Sequence, residues 1–260
     1  MTETKHEAIR AYYQTLFSAW GGQHWWPAQS RFEMIVGAYL TQNTSWTNVE
    51  KALATLRRAR LLTIDGVRRT PQPKLEQLIR SSGYFRQKAG RLKNFVRFLD
   101  RRHDGSLARL FSRPTAEVRA ELLALNGVGP ETADSILLYA GNHPVFVVDA
   151  YTRRIFERHG IISNAATHEE IRELCEKSLA AAGEGPRASE MLKTRVQPPG
   201  SCHRPSRMST ARRSTLVQVF NEMHGLIVGV GKTYCLKSQP KCEQCPLQKF
   251  LPLAGESAGK

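Results

Sequence analysis

The chain has 260 residues, of which 41% are apolar, so it is long enough to bury a core in one large domain or two modest ones. Lysine and arginine number 38 against 23 acidic residues, a net charge of +15, which favours a polyanionic partner and nucleic acid before a membrane surface. No apolar run approaches the roughly 20 residues of a membrane span and the charged N-terminus lacks a signal-peptide segment, so we expect a cytoplasmic protein.

A first helix is predicted over residues 7–20, and two tryptophans and a proline follow it, Trp25, Trp26 and Pro27. Large aromatic side chains are usually buried, so the pair can serve as a hydrophobic plug between helices. Aromatic ring faces also stack against a base that has been turned out of a DNA duplex. The residues alone leave both interpretations open.

Apolar periodicity predicts a buried helix over residues 31–39, followed by the polar segment LTQNTSW at residues 40–46. Further helices are predicted over residues 47–57, within the basic stretch 51–69, and over 74–80. The stretch 87–102 is strongly amphipathic. Its apolar face is predicted to consist of Leu92, Phe95, Val96 and Leu99.

The segment LNGVGPETADSILLYA, residues 125–140, contains a Gly-Val-Gly turn formed by Gly127, Val128 and Gly129. The two glycines permit positive φ and a close backbone approach. Pro130 suits the first position of a helix, and the unpaired N–H groups at that helix N-terminus suit a phosphate oxygen. With a helix over residues 115–125, the pattern predicts a helix, a hairpin and a helix. An ordinary turn between helices with a glycine C-cap is the alternative.

An apolar run, residues 145–148, ends in a single carboxylate, Asp149. An aspartate in this position is typical of an N-cap, here for a helix over residues 151–159. The same carboxylate lies at the edge of an apolar wall. A hairpin and such an aspartate about twenty residues apart form a much rarer combination than either feature alone.

The last third of the chain contains predicted helices over residues 169–182 and 216–230, separated by an irregular insertion at 183–214 that is rich in proline, glycine, serine and arginine. Three cysteines follow at C-x6-C-x2-C spacing, Cys235, Cys242 and Cys245. In a cytoplasmic protein this spacing is typical of metal ligands rather than disulfides.

Taken together, LNGVGPETADSILLYA and VVDAYTRR resemble the helix-hairpin-helix DNA glycosylases of the endonuclease III superfamily, over roughly residues 32–247. The WWP stretch is similar to one in the 3-methyladenine glycosylase branch. No strand pattern of convincing length appears, since residues 145–148 are the best candidate and are short. We therefore expect an all-α fold with two lobes. The resemblance implies a six-helix barrel with the hairpin at residues 30–143, and a helical lobe at 1–29 and 144–260 that ends in the cysteine loop.

The resemblance also implies roles for individual residues. Asp149 matches the catalytic aspartate, and Trp25, Trp26 and Pro27 match the base pocket. The side chain of Gln42 is expected to fill the space that the expelled nucleotide leaves in the duplex. The remaining residues expected to bind DNA are Gly127, Val128, Gly129, Thr132, Lys237 and Lys241.

In this superfamily a C-x6-C-x2-C-x5-C pattern holds a [4Fe–4S] cluster through four thiolates. Here the fourth position is Leu251, so the expected cluster is incomplete or labile. Its remaining ligand can be Cys202 or an exogenous group, or the position can stay without a ligand. Zinc at the three cysteines is the second choice.

Members of the family that also cut the DNA strand carry a lysine just before the Thr-Ala of the hairpin, where this chain has Glu131. A carboxylate cannot form the Schiff base of an amine. We therefore expect a monomeric, monofunctional glycosylase acting on alkylated purines in double-stranded DNA. The alternatives are an endonuclease III-like glycosylase and lyase for oxidised pyrimidines, and a catalytically inactive DNA-binding module.

Overall fold

The structure is a computed structural model that describes residues 2–23, 25–180 and 206–252. All regular elements among these residues are helical, which confirms the predicted all-α fold. Within the same residues, no helix is both long enough and apolar enough to span a bilayer.

The chain divides into two compact units. The hairpin unit comprises Pro27–His143 and Ser206–Met208. The aspartate unit comprises Met1–Trp26, Pro144–Pro205 and Ser209–Lys260. We describe each unit by itself, over its described residues.

The hairpin unit is built around α2, which is buried on nearly its whole circumference and packs on α3, α6 and the segment that follows α9. The predicted apolar face of α6 is buried in full, because Leu92, Phe95 and Leu99 are each 0% exposed and Val96 is 1% exposed. The helices of this unit are α2 (Arg31–Thr41), α3 (Trp46–Arg58), α4 (Ile64–Arg69), α5 (Gln72–Leu78), α6 (Phe85–His103), α7 (Leu107–Phe111), α8 (Thr115–Leu123) and α9 (Pro130–Ser135), which continues as a π-helix over Ile136–Gly141.

The centre of the aspartate unit is its last long helix, which is mostly apolar and is buried on nearly its whole circumference. The helices of this unit are α1 (Thr2–Trp20), α10 (Ala150–Arg158), α11 (His168–Ala180) and α12 (Thr215–Thr233). α12 packs against α1, α10 and α11. Residues 145–148 are buried and join no sheet among the described residues.

The irregular insertion predicted at residues 183–214 lies mostly outside the described residues. Its described end differs from a flexible loop, since Ser206 and Met208 are buried. The Ala28 N–H donates to Ser206 Oγ at 3.1 Å, and the Met208 N–H donates to the Ala28 carbonyl at 3.0 Å. These are backbone and hydroxyl bonds with no periodic signature, so the composition of the segment gave no sign of them.

Candidate functional site

The hairpin turn requires glycine at only one of its two glycine positions. Gly127 has φ +78°, and a Cβ atom there would lie 2.0 Å from Arg91 Nε, so the guanidinium packs directly over the turn. Gly129 has φ −92° and open space where a Cβ would be. Positive φ is therefore found at Gly127 and not at Gly129, while the close backbone approach that both glycines permit stays a prediction.

A buried ion pair joins the two helices that flank the hairpin. Arg119 on α8 donates through Nε and Nη2 to the two carboxylate oxygens of Asp134 on α9, at 2.7 and 3.2 Å. Asp134 is 0% exposed, so removing Arg119 would take a hydrogen-bond partner from a buried carboxylate. The only sequence signal for the pair was a carboxylate inside the apolar stretch ADSILLYA.

Gln42 lies on the hairpin and is bonded at both ends of its amide. Its Nε2 donates to the Gly127 carbonyl at 2.9 Å and to Thr132 Oγ1 at 2.9 Å. Its Oε1 accepts from Arg91 Nη1 at 2.6 Å. Gln42, Gly127 and Thr132, predicted separately to bind DNA, are thus brought together, and Arg91 joins them without having been predicted.

Lys88 fixes the loop that carries Gln42. It is 1% exposed, and its Nζ donates to the Leu40 carbonyl at 2.9 Å, Thr44 Oγ1 at 2.8 Å and the Ser82 carbonyl at 2.6 Å. Burial, and then the charge of Arg91, lower the pKa of Lys88 to about 8. All three ammonium protons are used, so Lys88 positions the loop rather than taking part in chemistry.

In the aspartate unit, Asp149 is the N-cap of α10, because its Oδ1 accepts from the Thr152 N–H at 2.8 Å and from Thr152 Oγ1 at 3.0 Å. Its Oδ2 lies 3.5 Å from His224 Nε2. Burial by itself raises the pKa of this carboxyl, but the His224 ring and the Thr152 donors outweigh burial, and the pKa lies below its ordinary value. The carboxylate is therefore ionised at neutral pH with one oxygen outside the cap.

His224 is the residue of this site that sequence reasoning missed. It is 4% exposed on α12, and its ring meets the Phe146 ring edge-on with centroids 6.5 Å apart. Phe146 belongs to the apolar run that ends at Asp149, so the same segment positions both the carboxylate and the ring beside it. The available signal was a histidine within the apolar helix sequence LVQVFNEMHGLIVGV.

Trp25 and Trp26 are 8% and 6% exposed, with ring centroids 5.7 Å apart, so both rings are buried, and their contact with an extruded base stays a prediction. The Lys232 ammonium lies over the Trp25 ring, 5.5 Å from its centroid. A Cβ atom at Gly225 would lie 3.0 Å from Trp25 Cβ. Helix α12 thus contacts Trp25 through one part of its surface and faces Asp149 through another. Pro27 belongs to the hairpin unit.

The three cysteines and Leu251 line one small cavity. Arg158 Nη1 donates to Cys235 Sγ at 3.2 Å, and Arg154 Nε donates to the Cys235 carbonyl at 2.8 Å. Helix α10, capped by Asp149, therefore holds the start of the cysteine loop. In the part of the chain that the structure describes, no three side chains surround a point as metal ligands would. Cys202 lies outside that part.

The two lysines of the cysteine loop, Lys237 and Lys241, are exposed. The Arg158 guanidinium also donates to the Lys237 carbonyl at 3.0 Å. The backbone that carries Lys237 is thus fixed while its ammonium group remains in solvent.

The chain belongs to the HhH-GPD superfamily of base excision DNA repair proteins, whose family model matches residues 36–181. It is 39% identical over 252 residues to the "Putative DNA repair glycosylase MJ1434" of Methanocaldococcus jannaschii, covering 96% of this chain and 98% of that protein. It is accordingly a DNA glycosylase of the endonuclease III superfamily, as the resemblance implied.

Solved structures agree on the fold. The H. pylori 3-methyladenine DNA glycosylase bound to 1,N6-ethenoadenine is 26% identical, with a TM-score of 0.68 over 88% of this chain and 97% of that one. A trapped endonuclease III–DNA covalent intermediate has a TM-score of 0.66 at 20% identity, over 96% of this chain and 95% of that one.

Proposed function

We propose that the protein is a monofunctional glycosylase that hydrolyses the N-glycosidic bond of an alkylated purine turned out of double-stranded DNA. The observation that carries the proposal is Asp149, a carboxylate whose pKa is lowered by the His224 ring and the Thr152 donors against the effect of burial. An ionised carboxylate is what the reaction requires beside the sugar, because positive charge builds on the deoxyribose as the bond breaks.

The steps assign one task to each group. The bond between C1′ and the purine nitrogen breaks, and its electron pair leaves with the base. Asp149 stabilises the positive sugar and takes a proton from the water that adds to C1′. A purine alkylated at a ring nitrogen carries a positive charge, which that electron pair neutralises, so the base leaves without a proton donor. The products are the free base and an abasic site.

The assignment as monofunctional rests on Glu131. This residue is exposed in the first turn of α9, where the resemblance places the lysine of strand-cutting members. A carboxylate forms no Schiff base with C1′. Its negative charge instead suits the N-terminus of its own helix.

The alkylated purine is favoured by the surroundings of Trp25. Aromatic rings attract cations, and the Lys232 ammonium lies over one face of the Trp25 ring, 5.5 Å from its centroid. An alkylated purine, which also carries positive charge, would stack on the other face. We infer that Trp25, Trp26 and Pro27 contact the extruded base. The 3-methyladenine glycosylase named in the comparison with solved structures supports the same base class.

For the duplex, we infer three contacts. The backbone of Gly127, Val128 and Gly129, with Thr132, would hold a phosphate at the start of α9. Gln42 would leave its hairpin partners and enter the duplex. Lys237 and Lys241, exposed on the cysteine loop, would meet further phosphates.

An iron–sulfur cluster at Cys235, Cys242 and Cys245 remains a proposal. The three thiols line one cavity, but the described residues provide a leucine, Leu251, where the family has its fourth thiolate. When bound, the cluster would brace the basic loop, and no step of the reaction passes through it. Iron and sulfide measured after purification without oxygen test the point. Iron that is present in the wild type and lost in Cys242→Ser supports it, and an iron-free wild type contradicts it.

The function is tested by incubating the protein with a methylated duplex and with an oxidised duplex and identifying the released base. We expect alkylated purine from the first and no covalent adduct on borohydride treatment. Release of oxidised pyrimidine with a trapped adduct would establish the endonuclease III-like alternative. Binding of DNA without release of any base would establish the inactive module.

A further inference from the structure

Asn221 on α12 is a buried amide without a partner among the residues that the structure describes. It is 0% exposed, and among the described residues neither its Oδ1 nor its Nδ2 has a hydrogen-bond partner. The amide of Gln218 on the same helix is bonded, since its Nε2 donates to Glu222 Oε1 at 2.7 Å. A buried amide with nothing bonded to it costs stability, and groups of this kind are rare in folded proteins. A ligand that supplies the missing bonds accounts for it.

The helical register places Asn221 on the face of α12 that carries His224 and Gly225, one turn nearer the helix N-terminus. His224, three residues on, lies 3.5 Å from Asp149. Gly225 and Lys232, four and eleven residues on, share one stripe of α12 with Asn221, and both contact Trp25. Residues three and four apart are neighbours on a helix surface. Asn221 therefore lies one helical turn from the residues of α12 that are next to Asp149 and Trp25, on the same face of the helix.

We propose that Asn221 hydrogen-bonds the extruded base and reads an adjacent donor and acceptor on a purine edge. The inference rests on the proposed function, because it requires that a base occupy the space beside Trp25. It names a specificity-determining residue within that site.

The chemistry of the amide narrows the base. A carboxamide offers one acceptor and two donors, and asparagine pairs in bidentate fashion with the N6 amino group and N7 of adenine. In 3-methyladenine both groups are intact. In 7-methylguanine N7 carries the methyl group and position 6 is a carbonyl, so the amide loses one bond and must reverse the other. Asn221 thus predicts a preference for 3-methyladenine over 7-methylguanine.

The test compares Asn221→Leu with the wild type on a methylated duplex under single-turnover conditions. Leucine has a similar volume and no polar atoms. We expect release of 3-methyladenine to fall about tenfold to hundredfold, while release of 7-methylguanine changes little. Because the lost amide had no partner, the unfolding temperature should stay level or rise. Gln218→Leu makes the same chemical change where the amide is already bonded, and it should lower the unfolding temperature without changing the ratio of the two bases.

A second measurement uses the wild type alone and so does not depend on folding of a variant. Free 3-methyladenine should raise the unfolding temperature more than its 7-deaza analogue, which lacks the N7 acceptor. Equal shifts by the two bases would overturn the inference. So would an unchanged release rate in Asn221→Leu, or an equal loss for both methylated bases with a lower unfolding temperature. A wild type that releases no methylated base would instead overturn the proposed function.

Discussion

The polar side chains that surround the hairpin turn and those that surround Asp149 are bonded differently. In the hairpin unit, Gln42, Lys88 and Asp134 are each saturated by partners of the same unit. In the aspartate unit, Asp149 keeps one carboxylate oxygen outside its cap and Asn221 has no hydrogen-bond partner among the described residues. The difference indicates that the groups around the hairpin turn hold its shape, and it agrees with the proposal that the groups around Asp149 bind a ligand.

The comparison explains why the hairpin needs so many internal bonds. A turn that holds a DNA backbone works through the positions of its N–H groups, and these are fixed only if the elements around the turn cannot shift. Arg91, Arg119 and Lys88 supply that rigidity from α6 and α8. The catalytic role proposed for Asp149 requires an ionised carboxylate oxygen in a fixed position, and His224 and the cap of α10 favour both.

The sharpest test of the comparison is Asp149→Asn. Asparagine is as good an N-cap as aspartate, so the fold should be kept, while base release on a methylated duplex should fall about 10²–10⁴-fold because the negative charge is lost. Single-turnover release and thermal unfolding measure the two effects separately.

Asp149→Ala is the matched control, since it removes the cap as well as the charge. It should lose the same activity and, in addition, about 1 kcal/mol of unfolding free energy. If Asp149→Asn released base at the wild-type rate, the aspartate would serve only as a helix cap.

Lys88→Met tests whether the buried ammonium group of Lys88 makes the stability of the protein depend on pH. The pKa of Lys88 is lowered to about 8, so between that value and its ordinary pKa near 10.5 the unfolded chain binds more protons than the folded one. The unfolding free energy of the wild type should therefore rise with pH in this window, by on the order of 3 kcal/mol. Denaturant titrations across the window should show this rise in the wild type and not in Lys88→Met.

Lys51→Met, an exposed lysine on α3, should keep the wild-type slope. A slope that survives in Lys88→Met would show that another group causes it.

Gln42→Ala tests whether Gln42, which is hydrogen-bonded at both ends of its amide, also enters the DNA duplex. If Gln42 fills the space that the expelled nucleotide leaves, the substitution should weaken binding to a duplex with an abasic site about tenfold. Binding to an intact duplex should be nearly unchanged. Thr132→Val removes one of its partners without shortening the glutamine, and it should affect both duplexes alike. Equal losses on both duplexes in Gln42→Ala would make Gln42 a brace of the hairpin only.

His224→Leu should produce an effect that is seen only at low pH. In this variant Asp149 stays buried but loses the His224 ring that lowers its pKa, so the pKa of Asp149 should rise. Base release should then fall as the pH is lowered towards 5, by about tenfold relative to wild type. The stability of the wild type should change with pH in the same direction. A carboxyl with a lowered pKa stabilises the fold above its unfolded pKa, and this contribution disappears as the pH falls through the folded pKa.

His143→Leu, a buried histidine of the hairpin unit, should leave the pH profile of base release unchanged. A profile that is likewise unchanged in His224→Leu would remove His224 from the site.

The sequence predicted what local patterns determine. The period of apolar residues located α6 and its buried face, and the position of Asp149 before a helix predicted the cap that the structure shows. The five-residue α7 was missed because so short a helix has no periodic signal. Apolar periodicity and capping residues depend only on residues that are close together in the chain.

What the sequence could not show are contacts between residues far apart in it. Gln42 meets Arg91 and Gly127 only after three elements have packed, and His224 lies 75 residues beyond Asp149. Asn221 was hidden for a related reason, since a single polar residue in an apolar helix looks the same whether its amide is bonded or not.

The most direct test of the central claim is the rate of base release from a methylated duplex, measured in single turnovers between about pH 5 and 8. An Asp149 already ionised throughout this range predicts a wild-type rate that stays level, and a slow, equally level rate for Asp149→Asn. A wild-type rate that falls with a midpoint inside the range would contradict the account, as would a variant as fast as the wild type.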